Sequence, residues 1–451
     1  MQKYLAGQVV AAIYDNGPIG NPFLAAMPEM LSKDEFFTCV RSCPQLPANL
    51  AEMTSEERRQ ELPRLSTLFI PLDFMYVIYD LLYRAIRGTY MRRTPLMEIQ
   101  NTNALYGDRE VGAYATQADS GSILGIPGIG KTSTVRRCLS VMPQVLEHTE
   151  YQGHALFCKQ VLYLHIECPS DCSVKTLSYN LLAALDRAVG SHYIQKHTTI
   201  RSSAASALAT QVKILCMTHH VGLILVDEIQ NAVVTARKNR QVKPLIKFLV
   251  ELTNDTSTGI YFVGTPLAEE LFMAEEHLKR RTRGIRLLPF KPDGVYRRFL
   301  EQLWPYQLTP QQAVLTDKLA NKLYDWSGGI PAYIIKIFQE SQVQALLHGE
   351  PALNEKTMQR AIDLLAIKVP KSYAGGTFLS DFEVELALND QGTVLQEEVT
   401  EQEVPRLYAN KRGRKAVQRD QEDLLTAFKE GRDLLQHLTS MNLVERVEKQ
   451  C

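Results

Sequence analysis

The chain has 451 residues, of which 45% are hydrophobic and 22% charged, as in a globular protein of two or three domains with a sizeable core. Lysine plus arginine equals aspartate plus glutamate, so any nucleic-acid binding must come from local patches and not from overall charge. No signal peptide or run of membrane-spanning length is recognisable, and eight cysteines in so long a chain do not form a disulfide framework. We therefore expect a protein of the reducing cytoplasm.

Two cysteine pairs have C-x₃-C spacing, Cys39 with Cys43 and Cys168 with Cys172. No histidine accompanies either pair at the spacing of a zinc finger. Buried or unused thiols are therefore favoured over a zinc site, which stays the weaker alternative.

Residues 1–65 are interrupted by frequent prolines, which leave room for short helices only. The pattern predicts two of them, from Ser32 to Arg41 and from Thr54 to Glu61. We expect residues 1–99 to form an N-terminal extension, an arm that docks on a partner or wraps the chain's own core.

From Pro71 to Arg87 hydrophobic residues recur at helical spacing, which predicts a longer helix. A basic and aromatic cluster lies within it and just after it, made of Tyr83, Arg84, Arg87, Tyr90, Arg92 and Arg93. Such a cluster can hold nucleic acid, but a solvated helix face is at least as good an interpretation.

The stretch Gly125-Ile126-Pro127-Gly128-Ile129-Gly130-Lys131-Thr132 has the P-loop pattern G-x-x-x-x-G-K-T. A short apolar strand precedes it and a helical pattern follows from Ser133, which is the order that a phosphate-binding loop requires. Lys131 is expected to contact the β- and γ-phosphates, and the Thr132 hydroxyl to bind Mg²⁺. The nucleotide would be bound by Gly125, Pro127, Gly128, Ile129, Gly130, Lys131, Thr132 and Ser133.

Apolar runs of strand length alternate with helical patterns after the P-loop. Strands are predicted at 160–166, 221–228 and 258–265, and helices at 173–189, 204–218 and 243–254. Strands that are apolar throughout and separated by helices indicate a parallel sheet covered by helices on both faces. We therefore assign residues 100–290 to an α/β P-loop domain.

Beyond residue 290 only helical patterns remain. Residues 291–368 are expected to form a small helical lid, with helices at 294–304, 310–326, 331–347 and 354–365. Residues 369–451 combine an acidic linker, a basic run from Lys411 to Lys415 and a helix from Glu422 to Leu438, and we interpret them as a partner-docking segment.

Asp227 and Glu228 end a buried strand in the manner of a Walker B motif. We expect this strand to lie beside the P-loop strand, so that Asp227 reaches Mg²⁺ directly or through water. Glu228 would polarise the water that attacks the γ-phosphate. Phosphoryl transfer depends mainly on positioning and on neutralising charge, to which Lys131 also contributes.

Thr265 ends the next strand and is expected to contact the γ-phosphate or the attacking water, although it could simply start a turn. The basic run from His277 to Arg286 follows, and its arginines can serve a neighbouring subunit's nucleotide as a finger. Arg281 and Arg283 are the expected ones, and a DNA-facing or solvated surface is the alternative. No guanine-reading Asn-Lys-x-Asp motif is present, so the expected cofactors are ATP and Mg²⁺.

In this order the motifs resemble those of AAA+ ATPases. More narrowly, the chain is similar to the transposition regulators of the TnsC/TniB group, including those of CRISPR-associated transposons. The narrower resemblance covers about residues 100–340. It rests on Cys168-Pro169 with Ser173-Val174-Lys175, on Asp227-Glu228-Ile229-Gln230-Asn231, and on Gly264-Thr265-Pro266 with Arg280-Arg281 beyond them.

The resemblance implies an ATP-dependent homo-oligomer on double-stranded DNA in a bacterial cytoplasm, a ring or helical filament of roughly six or seven subunits per turn. It also implies a TniQ/TnsD-like target-selection protein and a transposase as partners, without a membrane. In this family, basic and hydroxyl residues between the second strand and Walker B contact the DNA backbone. Lys175 matches such a position, and Thr176 and Arg201 are nearby candidates; such contacts position a protein without reading sequence.

One departure from the AAA+ pattern lies in the lid, where Ala332 stands at the place of a sensor arginine and Lys336, one turn on, is the candidate substitute. Two other functions stay open. Another AAA+ machine, such as a replication initiator or helicase loader, would favour a winged helix that residues 370–451 do not resemble. A nucleotide-gated signalling or defence scaffold would bind ATP and hardly turn it over.

Overall fold

The computed structural model describes residues 4–5, 7–14, 20–93, 119–196, 204–233, 242–269, 272, 283–367 and 385–386. The chain divides into two compact units, Met1–Leu388 and Asn389–Cys451. All described residues belong to the first unit. The expected basic run and final helix belong to the second unit and lie outside the described residues.

The first unit alternates strands and helices through its middle, with mainly helical segments before and after. The strands are β1 Val9–Ala11, β2 Ser120–Gly125, β3 Val145–Tyr151, β4 His154–Val161, β5 Tyr163–Glu167, β6 Leu223–Asp227, β7 Gly259–Gly264, β8 Arg283–Leu287 and β9 Glu385–Leu386. The helices up to β7 are α1 Pro22–Ala25, α2 Lys33–Val40, α3 Ser55–Glu61, α4 Asp73–Arg92, α5 Lys131–Leu139, α6 Val174–Val189, α7 Tyr193–Lys196, α8 Ala205–Thr218 and α9 Val242–Thr256. The later helices are α10 Gly294–Leu303, α11 Asp317–Ser327, α12 Pro331–Leu347 and α13 Glu355–Leu365.

The main sheet has the strand order β5-β6-β7-β2-β8-β9. Its strands pair in parallel except β9, which pairs antiparallel with β8. The P-loop strand β2 therefore lies between β7 and β8, and the expectation that the Walker B strand β6 lies beside it is wrong. An apolar run shows that a strand is buried but does not specify its neighbour, and here β7 pairs with both β2 and β6.

Successive side chains of each strand point to opposite faces of this sheet, and each face has its own hydrophobic core. Ile123, Leu225 and Val263 face α4, α5, the N-terminal helices and the lid. Their neighbours Leu124 and Phe262 face α6, α8 and α9. The α/β prediction with helices on both faces is confirmed.

Residues 20–93 supply much of the first core, because Phe36, Ile78, Leu82 and Ile86 are fully buried in it. Local capping supports the short helices: the Ser32 hydroxyl accepts a hydrogen bond from the Glu35 N–H, in a capping box. The described part of this extension therefore wraps the chain's own core, one of the two roles considered for it.

The basic and aromatic cluster forms the C-terminal end of α4 and is built into the protein. The Tyr90 hydroxyl donates to the carbonyls of Val161 and His220. Arg93 is fully buried, and its guanidinium donates to the Thr256 carbonyl and the Thr258 hydroxyl. Tyr90 and Arg93 are therefore unavailable to nucleic acid, whereas Arg84 of the same cluster is exposed and pairs with Asp80.

A small sheet of order β1-β3-β4 was not anticipated. Strands β3 and β4 form a hairpin whose turn, Gln152-Gly153, has positive φ at both residues, 53° and 79°. The predicted single strand 160–166 is divided, because β4 ends at Val161 in the small sheet and β5 starts at Tyr163 in the main sheet. The sequence signal for the β3–β4 hairpin was a glycine-containing turn between two segments in which polar and apolar residues alternate.

The lid consists of α10 to α13, and α11 begins at Asp317 instead of the expected Pro310. Thr316 caps α11 by accepting from the Leu319 N–H. The segment before it is held by side chains: Trp304 Nε1 donates to the Ala313 carbonyl, and Gln307 Oε1 accepts from the Ala313 N–H. No helix within the described ranges is both long and apolar enough to cross a membrane.

Candidate active site

The P-loop connects β2 to α5, which begins at Lys131, two residues before the expected start. Gly128 and Gly130 have φ values of 84° and 97°, in the left-handed region that only glycine adopts freely. A Cβ on Gly128 would lie 3.1 Å from Cγ2 of Ile330 and 3.4 Å from Cβ of Ala332. The lid therefore approaches the loop closely, and the Ala332 N–H donates to the Gly128 carbonyl at 3.2 Å.

Lys131 is buried, and its Nζ donates to the loop carbonyls of Gly125 at 2.7 Å and Ile126 at 3.2 Å. Burial lowers the pKa of this ammonium group, and the charges of Glu228 and Asp227 partly oppose that effect. A bound phosphate would offer the ammonium group a charged acceptor in place of two neutral carbonyls, which strengthens the hydrogen bond.

Thr132 and Asp227, the two expected Mg²⁺ ligands, are in direct contact: the Thr132 hydroxyl donates to Oδ2 of Asp227 at 2.8 Å. Burial raises the pKa of Asp227, but the nearby His165 imidazole and the hydrogen bonds from the Thr132 hydroxyl and the Glu228 N–H outweigh it and leave the pKa below its usual range. Asp227 is therefore ionised at neutral pH. A carboxylate beside a hydroxyl is a hard oxygen donor set that fits Mg²⁺.

Glu228 directly follows β6 and has a φ of 55°, which turns its chain out of the strand. Its N–H donates to Oδ1 of Asp227 at 2.8 Å, and its Oε2 accepts a hydrogen bond from Nε2 of Gln230. The Gln230 Oε1 accepts from the Thr265 N–H at 3.1 Å. Because β7 lies between β6 and β2, Thr265, which directly follows β7, lies at the end of the strand between the P-loop strand and the Walker B strand.

Comparison with known families agrees with this geometry: residues 115–272 match a family model described as AAA domain. This part of the chain is similar to an AAA domain. Its P-loop and its parallel sheet between helices form the AAA+ P-loop fold.

Several solved structures resemble the chain at low identity. The Aeropyrum pernix ORC2 protein, in ADPNP–ADP complexes, is 14% identical over 62% of this chain and 68% of that chain, with a TM-score of 0.38. The Drosophila ORC bound to DNA is 13% identical over 73% of this chain and 70% of that chain, with a TM-score of 0.43. The Thermotoga maritima RuvB Holliday junction branch migration motor is 15% identical over 63% and 70%, with a TM-score of 0.31. No curated protein sequence matches the chain significantly.

His165 is a site residue of the AAA domain that sequence reasoning missed. It lies on β5 opposite Leu225, and its Nε2 is 3.4 Å from Oδ2 of Asp227. The available signal was an imidazole inside an otherwise apolar strand beside Walker B. His165 and Thr132 thus both approach Oδ2 of Asp227, and Thr132 donates a hydrogen bond to it.

Two of the stretches that carry the narrower resemblance, the one at Cys168-Pro169 and the one from Asp227 to Asn231, are joined by hydrogen bonds. Nδ2 of Asn231 donates to the Cys168 carbonyl at 3.2 Å, and the Cys168 N–H donates to the Asp227 carbonyl at 2.7 Å. The thiols of Cys168 and Cys172 are buried. In the part of the chain that the structure describes, no group of three or more His, Cys, Asp or Glu residues is placed to hold a metal ion.

The remaining predicted residues lie on other elements or outside the described residues. Arg281 and Arg201 are outside them, and of Arg283 only the backbone, at the start of β8, is described. Thr176 lies in the first turn of α6 with Lys175, and its hydroxyl donates to Oδ2 of Asp171 at 2.6 Å. That proton is therefore engaged within the protein. Lys336 is exposed on α12.

A cavity of about 380 Å³ opens beside the P-loop on the lid side. Its lining combines loop and α5 residues with apolar side chains of the N-terminal extension and of α12: Gly130, Ser133, Phe69, Leu72, Met75 and Ile335. The Arg137 guanidinium lies over the Phe69 ring, 4.7 Å from its centroid. A mostly apolar pocket of this size next to a phosphate loop suits a flat heterocyclic base.

Proposed function

We propose that this protein is an AAA+ ATPase that binds ATP with Mg²⁺ and hydrolyses it as a switch for assembly on DNA. The observation that carries the catalytic part is the convergence of five groups at one edge of the sheet. Lys131 and Thr132 open α5, Asp227 contacts Thr132, and one glutamine side chain links Glu228 to Thr265. This is the set that phosphoryl transfer to water needs.

Each group has a distinct role in this proposal. Lys131 and the loop N–H groups bind the β- and γ-phosphates, Thr132 and Asp227 hold the metal, and Glu228 orients the attacking water and accepts its proton. Mg²⁺, when bound, neutralises charge on the phosphate oxygens. The cavity beside the loop would hold the adenine, so that the N-terminal extension and the lid both contribute to nucleotide binding.

Glu228→Gln separates hydrolysis from binding. We expect this variant to bind a fluorescent ATP analogue like the wild type and to lose hydrolysis by a factor of about 10² or more, because the amide cannot accept the proton. Lys131→Ala should instead weaken binding, because it removes a charged hydrogen bond. A wild type that binds ATP without measurable turnover would support the scaffold alternative, and a Glu228→Gln variant with full activity would refute the assignment.

For the finer function we propose a transposition regulator of the TnsC/TniB type, which forms a ring or filament on double-stranded DNA and links a target-selection protein to a transposase. The motif resemblance supports it, together with one face of α6. Asn180 and Arg187 lie two turns apart on this face, with Lys175 at its edge. Arg136 and Arg187 are exposed and line two adjoining cavities together with His165, so this basic groove lies next to Asp227.

DNA binding is tested by salt dependence. Lys175→Ala and Arg187→Ala should each weaken binding to duplexes of any sequence and reduce the slope of log K against log salt by about 0.9 for each phosphate that the variant no longer neutralises. Lys356→Ala, which removes an exposed lysine from the lid helix α13, is the matched control. Unchanged slopes in both test variants would contradict the groove assignment.

Assembly is tested by electron microscopy of the protein with duplex DNA and a non-hydrolysable ATP analogue. Rings or filaments that require both components would support the proposal, and their absence would refute it. The transposition role requires ATP-dependent capture of a transposase and a TniQ/TnsD-like protein encoded by neighbouring genes. Capture of a replicative helicase instead would favour the loader alternative.

A further inference from the structure

Gln230 lies two residues beyond the Walker B glutamate, and the mechanism above assigns its side chain no role beyond the link between Glu228 and Thr265. Its side chain is half-buried and forms two hydrogen bonds, one at each end of the amide. Nε2 donates to Oε2 of Glu228, and Oε1 accepts from the backbone N–H of Thr265 at 3.1 Å. One side chain therefore connects the end of β6 to the end of β7.

The partners determine which way the amide faces. The Thr265 N–H can only donate, so it must meet the amide oxygen, and the ionised carboxylate of Glu228 can only accept, so it must meet the NH₂ group. A glutamate at position 230 would place an oxygen against the Glu228 carboxylate. The Gln230 bridge, by which this side chain joins Glu228 to Thr265, thus requires an amide at position 230 and excludes the isosteric glutamate.

The backbone around the bridge is shaped to admit it. A Cβ on Gly264 would lie 2.6 Å from Oε1 of Gln230 and 2.8 Å from Cγ2 of Ile229, closer than real contacts allow. Glycine therefore leaves the space that the amide occupies. The Ile229 N–H donates to the Val263 carbonyl at 3.1 Å, which holds the two strand ends at the distance that the bridge spans.

We propose that Gln230 is a positioning residue for hydrolysis, an inference that rests on the proposed ATPase function. By occupying Oε2 of Glu228 it fixes the rotation of the carboxylate and leaves Oε1 for the attacking water. Because Oε1 of Gln230 also accepts a hydrogen bond from the Thr265 N–H, the orientation of the Glu228 carboxylate depends on the position of the end of β7, the strand next to the P-loop strand. Displacement of Thr265 is thereby transmitted to Glu228 through a single side chain.

The first test compares Gln230→Ala and Gln230→Glu with the wild type in steady-state hydrolysis and nucleotide binding. We expect Gln230→Ala to lower kcat by roughly 10- to 100-fold, because a misplaced base loses alignment with the water, while the Kd for ATP stays within about twofold. Gln230→Glu should lower kcat at least as much. Gln342→Ala removes a lid glutamine that accepts from the Leu308 N–H and is the control for stability loss, with unchanged kcat expected.

The second test isolates the anchor on Thr265. Thr265 has a φ of −88°, near the proline range, so Thr265→Pro removes its N–H with little backbone change, whereas Thr265→Ala keeps the N–H and removes only the hydroxyl. We expect Gln230→Ala to lower kcat in the Thr265→Ala background and to have no further effect in the Thr265→Pro background. An equal effect in both backgrounds, or a wild-type kcat for Gln230→Ala, would overturn the inference. A wild type that does not hydrolyse ATP would refute the proposed function. A wild type that hydrolyses ATP, together with an inactive Glu228→Gln variant and a fully active Gln230→Ala variant, would refute only this inference.

Discussion

Replacing Arg93 should destabilise the protein without affecting DNA binding, and the size of the effect follows from its contacts. The side chain is fully buried and donates to the Thr256 carbonyl and the Thr258 hydroxyl. In Arg93→Ala the Thr258 hydroxyl stays satisfied, since it still bonds to the Thr256 hydroxyl and the Val221 carbonyl. The Thr256 carbonyl loses its arginine donor, which costs about 1–3 kcal/mol, and the missing stem adds about 1–2 kcal/mol for the cavity.

The expected loss is therefore about 3 kcal/mol for Arg93→Ala and about 2 kcal/mol for Arg93→Met, which keeps most of the stem. With a urea dependence of about 3 kcal/mol per molar, Arg93→Ala should lower the unfolding midpoint by about 1 M. Far-ultraviolet circular dichroism is the suitable readout, because both tryptophans, Trp304 and Trp326, lie in the lid and report on that part alone.

Arg84→Ala is the matched control from the same helix. Arg84 forms an exposed ion pair with Asp80 one turn earlier, worth about 0.5 kcal/mol at most. Equal urea midpoints of unfolding for the Arg84→Ala and Arg93→Ala variants would refute the claim that the buried hydrogen bonds of Arg93 stabilise the protein. So would an Arg93→Met protein of unchanged stability that binds DNA more weakly, since that result would restore the nucleic-acid interpretation.

Three further outcomes are expected. The pKa of Asp227 lies below its usual range, so its contribution to stability is complete at neutral pH and lost as pH falls below about 4. On acidification the unfolding temperature of the wild type should therefore fall more steeply than that of Asp227→Asn. Parallel curves of unfolding temperature against pH would contradict this. Gly264→Ala should push the Gln230 amide aside and lower kcat about as much as Gln230→Ala, with ATP affinity retained; an unaltered kcat would show that the bridge tolerates a Cβ. Phe69→Ala should weaken ATP binding about tenfold by removing an aromatic face from the cavity, whereas Phe157→Ala, at a residue 81% exposed on the small sheet, should not; equal affinities would place the base elsewhere.

The P-loop and the Walker B acids were predictable because their chemistry is local. Consecutive residues surround a phosphate, so the glycines, Lys131 and Thr132 must follow one another in a strand–loop–helix order that the sequence displays. Helices such as Val174–Val189 were predicted within a residue for the same reason. Their hydrophobic spacing and their capping residues, here Ser173, are properties of short segments.

The strand order of the sheet and the buried contacts at the end of α4 depend on which segments pair in the folded protein. The sequence of a short segment does not determine its pairing partner. Burial of apolar surface is non-directional, so the run in β6 predicts a buried strand but not that β7 would separate it from β2. The same applies to Arg93 and Tyr90, which look basic and aromatic in the sequence and find backbone acceptors only because α4 ends against the sheet.

The sequence by itself therefore predicted the P-loop, the Walker B acids and the AAA+ P-loop fold. Only the tertiary structure brought His165 against Asp227 and placed Gln230 between Glu228 and Thr265. Contacts of this kind depend on side-chain distances across strands, and those distances exist only once the strand order of the sheet is established.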